Sequence, residues 1–138
     1  MKLSGKFVKS QLSLLKPLRN DTSIAAARRG QDVLGRLMCR ISKKQIKTDS
    51  ITVGSMPCAM ITPVDELSSG VILYLHGGGF VCGGIEYARG FASILASRCG
   101  IRVFTAAYSL APEHPFPTQL DEALVAYDYL LSLGYRPS

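Results

Sequence analysis

Val71-Ile72-Leu73-Tyr74-Leu75-His76-Gly77-Gly78-Gly79-Phe80-Val81-Cys82-Gly83-Gly84 is the stretch that decides the fold. Its first five residues are continuously apolar, which suits a strand covered on both faces, as in a parallel sheet. The nine residues from His76 to Gly84 hold five glycines. Such a loop can turn tightly and bring bare backbone N–H groups close to a ligand. From about Ile85 the spacing predicts a helix, with Ala88, Phe91, Ala92, Leu95 and Cys99 on one face and Gly100 as its stop. Ile101 to Ala107 reads as the next strand.

Toward the C-terminus, Tyr108 to Pro117 is expected to be irregular, because Pro112, Pro115 and Pro117 suit neither a helix interior nor a sheet ladder. Thr118-Gln119-Leu120-Asp121 resembles a capping box that opens a last helix. Leu120, Ala123, Leu124, Tyr127, Leu130 and Leu131 form its expected buried stripe, and Gly134 ends it. Toward the N-terminus, Asp65 to Gly70 is a loop. Ile51 and Val53 alternate with Thr52 and Gly54, then Gly54-Ser55-Met56-Pro57 turns the chain into a second short strand, Cys58 to Thr62. Residues 5–18 and 22–46 read as two helices, with Val8, Leu12 and Leu15 on one apolar face and Leu34, Leu37, Met38 and Ile41 on the other. Pro17 and Asn20-Asp21-Thr22 separate them. Helices followed by β-β-β-α-β-α predict an α/β fold with a largely parallel sheet.

The net charge of +6 is unevenly distributed: about +10 over residues 1–47 and about −4 over residues 48–138. In the basic part Lys and Arg alternate with Leu, Ile and Val at helical spacing, and no aromatic residues interleave for base stacking. A solvated helical face is the expectation, and no nucleic-acid partner. Cys39, Cys58, Cys82 and Cys99 show no CxxC and no metal spacing, so buried free thiols in a reducing, cytoplasmic compartment are expected, with no metal. No signal peptide is expected, since Lys16 and Pro17 interrupt the apolar stretch from Leu12 to Leu18. The longest clearly apolar run, Val71–Leu75, is too short to span a bilayer, so no integral membrane association is expected.

Two backbone N–H groups from a glycine loop, aimed at one point, stabilise a developing oxyanion by roughly 3 kcal/mol per donor. An apolar strand running into His-Gly-Gly-Gly has the form of that element in lipases and esterases. A plain glycine-rich turn is the bland alternative. Phosphate binding fits less well, for the loop has no Gly-Lys-Ser/Thr ending and does not match G-x-G-x-x-G. The second segment narrows the choice. Leu75-His76-Gly77-Gly78-Gly79-Phe80, followed by Tyr108-Ser109-Leu110-Ala111-Pro112-Glu113-His114-Pro115-Phe116-Pro117 and then Asp121, resembles the hormone-sensitive-lipase-like esterase family. The resemblance runs from about Ser50 to Leu133; over residues 1–47 it is positional only.

That resemblance implies a partial α/β-hydrolase fold: a helical cap segment over residues 1–47 and the N-terminal half of the core over 48–138. The loop His76, Gly77, Gly78 and Gly79 would be the catalytic element present, with the N–H groups of Gly78 and Gly79 as two oxyanion donors. The third donor would follow a nucleophilic serine. His76 would shape the loop and not act as base, and Tyr108–Pro117 would brace it through Glu113 and Asp121. The family usually carries Arg at the place of Ser109, which implies a lost ion pair and a weaker brace. The substrate class would be small-molecule carboxylic esters, with no cofactor.

A triad of His114 with Asp121 or Asp128 is rejected, because α/β-hydrolases order their triad Ser, Asp/Glu, His and no G-x-S-x-G occurs in the chain. An α/β-hydrolase typically needs about 250 to 300 residues in one core; this chain has 138 and stops where the family's nucleophile strand would begin. The expectation is therefore a truncated unit without its own triad. A non-catalytic remnant or binding module of the same fold is the rival, and a small α/β protein of unrelated function a distant third. The resemblance further places the Ile101–Ala107 strand between the second and third strands. Val71–Leu75 then forms an open edge through which the chain would self-associate.

Overall fold

The computed structural model describes residues 21–43 and 45–137. The helix expected over 5–18 lies outside them. In chain order the elements are α1 (Asp21–Ser42), β1 (Ile46–Val53), β2 (Met56–Pro63), β3 (Ser68–Leu75), α2 (Ile85–Cys99), β4 (Ile101–Ala106) and α3 (Thr118–Ser132). This is an α/β arrangement. Its strands run in the order β1-β2-β4-β3, so β4 does sit between the second and third strands.

Within the described residues the sheet is mixed rather than largely parallel. β1 and β2 form an antiparallel hairpin whose turn is only Gly54-Ser55, with Val53 opposite Met56. β2 and β4 are also antiparallel, and β3–β4 is the parallel pair, in register from Val71 opposite Arg102 to Leu75 opposite Ala106. A crossover through α2 joins β3 to β4, as a parallel pair requires.

Burial follows position in the sheet. β2 and β4 are interior, and Ile61, Val103, Phe104, Thr105 and Ala106 lose all solvent contact. One face packs Met56, Cys58, Phe104, Ala106 and Tyr108 against Ala126 and Leu130 of α3. The other packs Ala59, Ile61 and Val103 against Ala92 and Ala96 of α2. β3 occupies the described edge, and its Val71–Tyr74 run is therefore only half-buried rather than covered on both sides.

α1 lies on the outside of α2. The contact is close because Gly35 and Gly90 face each other: a Cβ on Gly35 would strike the Glu86 and Tyr87 backbone, and one on Gly90 would meet the backbone of Gly35. This contact selects which side of α1 turns inward. The apolar face of Leu34, Leu37, Met38 and Ile41 turns outward, with Leu37 53% and Ile41 69% exposed and Met38 alone half-buried. α2 shifts similarly: Ala88, Ala92 and Ala96 are buried, whereas Phe91 and Cys99 are exposed. In α3, Gln119, Ala126 and Leu130 point inward while Leu120, Leu124 and Tyr127 lie outward. The pattern marked these helices as apolar, but their apolar residues occupy more than one face.

Several boundaries also move. α1 stops at Ser42 rather than 46, since Ile46, Thr48, Ile51 and Val53 are the half-buried positions of an extended strand. β1 therefore begins before Ser50. Thr118 does not cap α3 with its side chain; its hydroxyl donates to the Pro115 carbonyl at 2.9 Å, and Pro117 occupies the cap position. Gly100 ends α2 in the left-handed conformation, as expected, with its N–H bonded to the Ala96 carbonyl. No described helix is long and apolar enough to cross a membrane.

Candidate active site

β3 and β4 point their C-terminal ends at the same rim, where open α/β sheets place their sites. There the chain leaves Leu75 and enters the glycine loop. His76 turns back into the protein and is only 3% exposed. Its ring stacks on Tyr108 with centroids 4.2 Å apart and planes 12° from parallel. The Tyr108 hydroxyl donates to the His76 carbonyl at 2.5 Å, so β4's outgoing residue fixes both ends of His76. Nδ1 of His76 faces the Gly77 carbonyl at 3.1 Å. Because a carbonyl only accepts, this contact favours the tautomer with the proton on Nδ1. Burial pushes the imidazole below its ordinary value, against a smaller upward pull from the Gly77 carbonyl. A buried, neutral imidazole whose Nε2 finds no partner is a packing element of this loop.

Two glycines are dictated by space. Gly78, at φ 139°, lies against the Cys82 backbone, and Gly83, at φ 121°, against the His76 ring; a Cβ at either would overlap those atoms. The Gly78 carbonyl accepts from the Cys82 N–H at 3.0 Å, folding the loop back on itself. Phe80 also takes a positive φ of 62°, an uncommon conformation for a residue with a side chain. Its carbonyl receives the Ala111 N–H at 2.8 Å, tying loop to brace. Among the described residues, no acceptor takes the backbone N–H of Gly78 or Gly79.

The loop borders a cavity of about 590 Å³, walled by Leu75, Phe80, Phe116 and Leu120 among others. Its lining is apolar apart from His76, the Tyr108 hydroxyl and Gln119. Such a concave apolar chamber with few polar groups is the usual form of a small-molecule site.

The brace is held from two sides. Arg28 of α1 grips Glu113 with a two-point ion pair at 2.8 and 2.9 Å, and also donates to the carbonyls of Val81 at 2.7 Å and Ala111 at 2.9 Å. One guanidinium thus links α1, the glycine loop and the brace. It holds the Glu113 carboxyl well below the usual range, at about 2. On the other side Glu122 accepts the Ser109 N–H at 2.5 Å and its hydroxyl at 2.8 Å. Gln119, itself buried, donates to the carbonyls of Ser109 and His114.

An α/β-hydrolase-fold family matches residues 72–137. Versiconal hemiacetal acetate esterase stcI of Emericella nidulans is 33% identical over 96 residues, 67% of this chain and 34% of that protein. An acetyl-hydrolase of Streptomyces hygroscopicus is 34% identical over 89 residues, 64% of this chain and 29% of the relative. The matched region thus spans about a third of these relatives' length. Among solved structures, an esterase/lipase from an uncultured bacterium superposes with a TM-score of 0.71 at 26% identity, covering 98% of this chain and 46% of that one. An esterase of the bacterial hormone-sensitive lipase family gives 0.62 at 29% identity, covering 82% and 45%. Over the part it spans, the chain belongs to the hormone-sensitive-lipase-like esterase family of α/β-hydrolases.

Against this esterase family's pattern, one expectation for the brace is corrected. Its tie to α3 runs through Glu122, one residue beyond the expected Asp121. At the Ser109 departure, the residue's own N–H and its hydroxyl each donate to one Glu122 oxygen. His114 is exposed. Arg28, Gln119 and Glu122 were not singled out by the sequence. Arg28 meets Glu113 across 85 positions, and no local pattern marks such a pair. Cys58 and Cys82 are buried thiols as expected, Cys58 pushed up to about 11 by that burial, but Cys99 is exposed and Cys39 intermediate.

Proposed function

We propose that this esterase-family chain supplies the oxyanion element of a carboxylic ester hydrolase that works through an acyl-serine. The observation that carries this is the pair of unclaimed N–H groups on Gly78 and Gly79, in a loop whose His76 and Phe80 line an apolar chamber. Preorganised donors of this kind need not rearrange as charge develops on a carbonyl oxygen. The chamber's Phe80, Phe116 and Leu120 would take the acyl or alcohol part of a small-molecule ester. His76 acts as the loop's packing post, Tyr108 as its clamp. The nucleophile, acid and base are not among these 138 residues: no G-x-S-x-G occurs. The site needs no cofactor in this scheme.

In the same proposal residues 1–47 are the cap segment and 48–138 the N-terminal half of the core. The Arg28 bonds to the loop support the first assignment. Four cysteines without a disulfide among the described residues support a reducing, cytoplasmic setting. The half-buried Val71–Tyr74 run, the exposed Leu75 after it and the outward Leu120, Leu124 and Tyr127 support self-association of the chain by itself. A non-catalytic binding module that keeps the chamber is favoured by one observation, the missing nucleophile motif.

The test joins the chain to the serine-bearing remainder of a bacterial hormone-sensitive-lipase-family esterase. The chain alone should neither hydrolyse p-nitrophenyl esters nor label with a fluorophosphonate. The joined protein should do both. A folded joined protein that labels on its serine yet shows no turnover contradicts the oxyanion assignment and favours the binding module.

A further inference from the structure

A second cavity lies about the far end of α1, between it, β1 and α2. Its volume is about 350 Å³, and its lining is Cys39, Arg40, Lys43, Ile46, Thr48 and Arg89. Three of the six carry positive charge, and none carries negative charge. They come from separate pieces of chain: Arg40 from the last turn of α1, Lys43 from the turn after it, Arg89 from α2. Held together without an anion, three like charges repel one another, so the arrangement is improved by any ligand of opposite sign.

Little of this charge is spent internally. Arg89 has a carboxylate near it, Glu86, but at 3.6 Å, an ion pair too long for a hydrogen bond. Its Nε is buried and finds no acceptor. Among the described residues no carboxylate pairs with Arg40 or Lys43. Thr48 adds a half-buried hydroxyl, a neutral donor beside the cations. The negative end of the α1 dipole is partly masked, because the Ser42 carbonyl already accepts the Gln45 N–H at 2.9 Å.

We propose that this cavity is an anion site for a phosphate monoester, held by the Arg89 guanidinium with Arg40, Lys43 and the Thr48 hydroxyl. A tetrahedral dianion matches the set: forked donors from Arg, point charges from Lys, and a hydroxyl donor. The site lies apart from the ester-binding chamber and shares no lining residue with it.

The experiment titrates the 138-residue chain by calorimetry with inorganic phosphate, with phenyl phosphate, and with phosphatidylcholine vesicles with and without phosphatidic acid. Saturable one-site binding of phosphate or phenyl phosphate supports the site and a soluble source. Binding only to phosphatidic-acid vesicles supports it with a lipid source. In either case Arg89→Gln and Lys43→Gln should each weaken binding about tenfold. Arg36→Gln removes the same charge from an exposed position of α1 and should stay within about twofold; circular dichroism checks that each variant folds. Lys43 is exposed, so its variant tests the site even where Arg89→Gln disturbs packing. Absence of binding to all three probes overturns the proposal. So does an Arg36→Gln loss equal to that of the two cavity variants, which would mean attraction to net charge alone.

Discussion

Replacing Gly83 by alanine should damage the loop more than its one added methyl suggests. Two costs combine. The residue sits at φ 121°, a conformation that side chains resist, with a penalty of about 1–3 kcal/mol. The new Cβ also falls on Cε1 and Nδ1 of the His76 ring. That ring cannot slide freely, because Tyr108 stacks on its face and bonds its carbonyl. Overpacking of a fixed group costs a further 1–3 kcal/mol or so. The total is about 2–6 kcal/mol, a fall in Tm of roughly 7–20 °C at this chain length. Gly54→Ala is the control: its φ is also positive, at 61°, but nothing lies within contact of its Cβ. It should lose only about 1 kcal/mol, the conformational term alone. Urea unfolding followed by circular dichroism measures both, with an unchanged m-value as the check on the comparison. Equal losses in the two variants would refute the claim that His76 is rigidly wedged behind the loop.

Phe104→Ala removes a side chain with no solvent contact from the centre of the sheet and should cost about 3–5 kcal/mol by the same urea assay. Arg28→Ala breaks two carbonyl bonds and the pair with Glu113, and should lose about 2 kcal/mol. Arg28→Lys should recover less than half of this, since an ammonium cannot fork to three acceptors; a fully stable lysine variant would contradict the clamp. The lowered His76 pKa makes the unfolded chain bind the extra proton first, so stability holds above the unfolded value near 6.5 and falls as pH drops below it. The urea midpoint of the native chain should decline from pH 7 to 5.5, and His76→Asn should flatten that limb. Glu113 acts in the same direction at lower pH: its contribution is present above the ordinary carboxyl value and is lost as pH falls toward about 2, and Glu113→Gln should remove that acid limb.

The course of the chain was legible where composition leaves few options. A five-residue apolar run into five glycines must be a strand entering a loop, and it is. Gly100 had to stop a helix, and the β4 position between β2 and β3 followed from the resemblance. Inward faces were less legible. Leu37 and Ile41 have helical spacing and still point outward, because the Gly35–Gly90 approach decides how α1 is rotated. Periodicity counts apolar residues and is blind to a contact made by residues without side chains. The same holds for Leu120 and Leu124, overruled by Gln119 and Glu122 reaching toward Ser109 on the other side of α3. At the site the glycines were readable from their number, whereas Arg28 was not, because its partners converge only in three dimensions.

The central claim is that the N–H groups of Gly78 and Gly79 face a developing oxyanion. Its most direct measurement is the kcat and KM of the joined, serine-bearing protein with and without Gly78→Ala, using p-nitrophenyl acetate. An added Cβ at Gly78 strikes the Cys82 backbone and must displace the loop, while the chamber walls at Phe116 and Leu120 stay in place. A donor acting only in the transition state affects kcat, so a fall of about 10²-fold or more in kcat is predicted, with KM within a few-fold. An unchanged kcat in a variant that folds would contradict the oxyanion role of this loop.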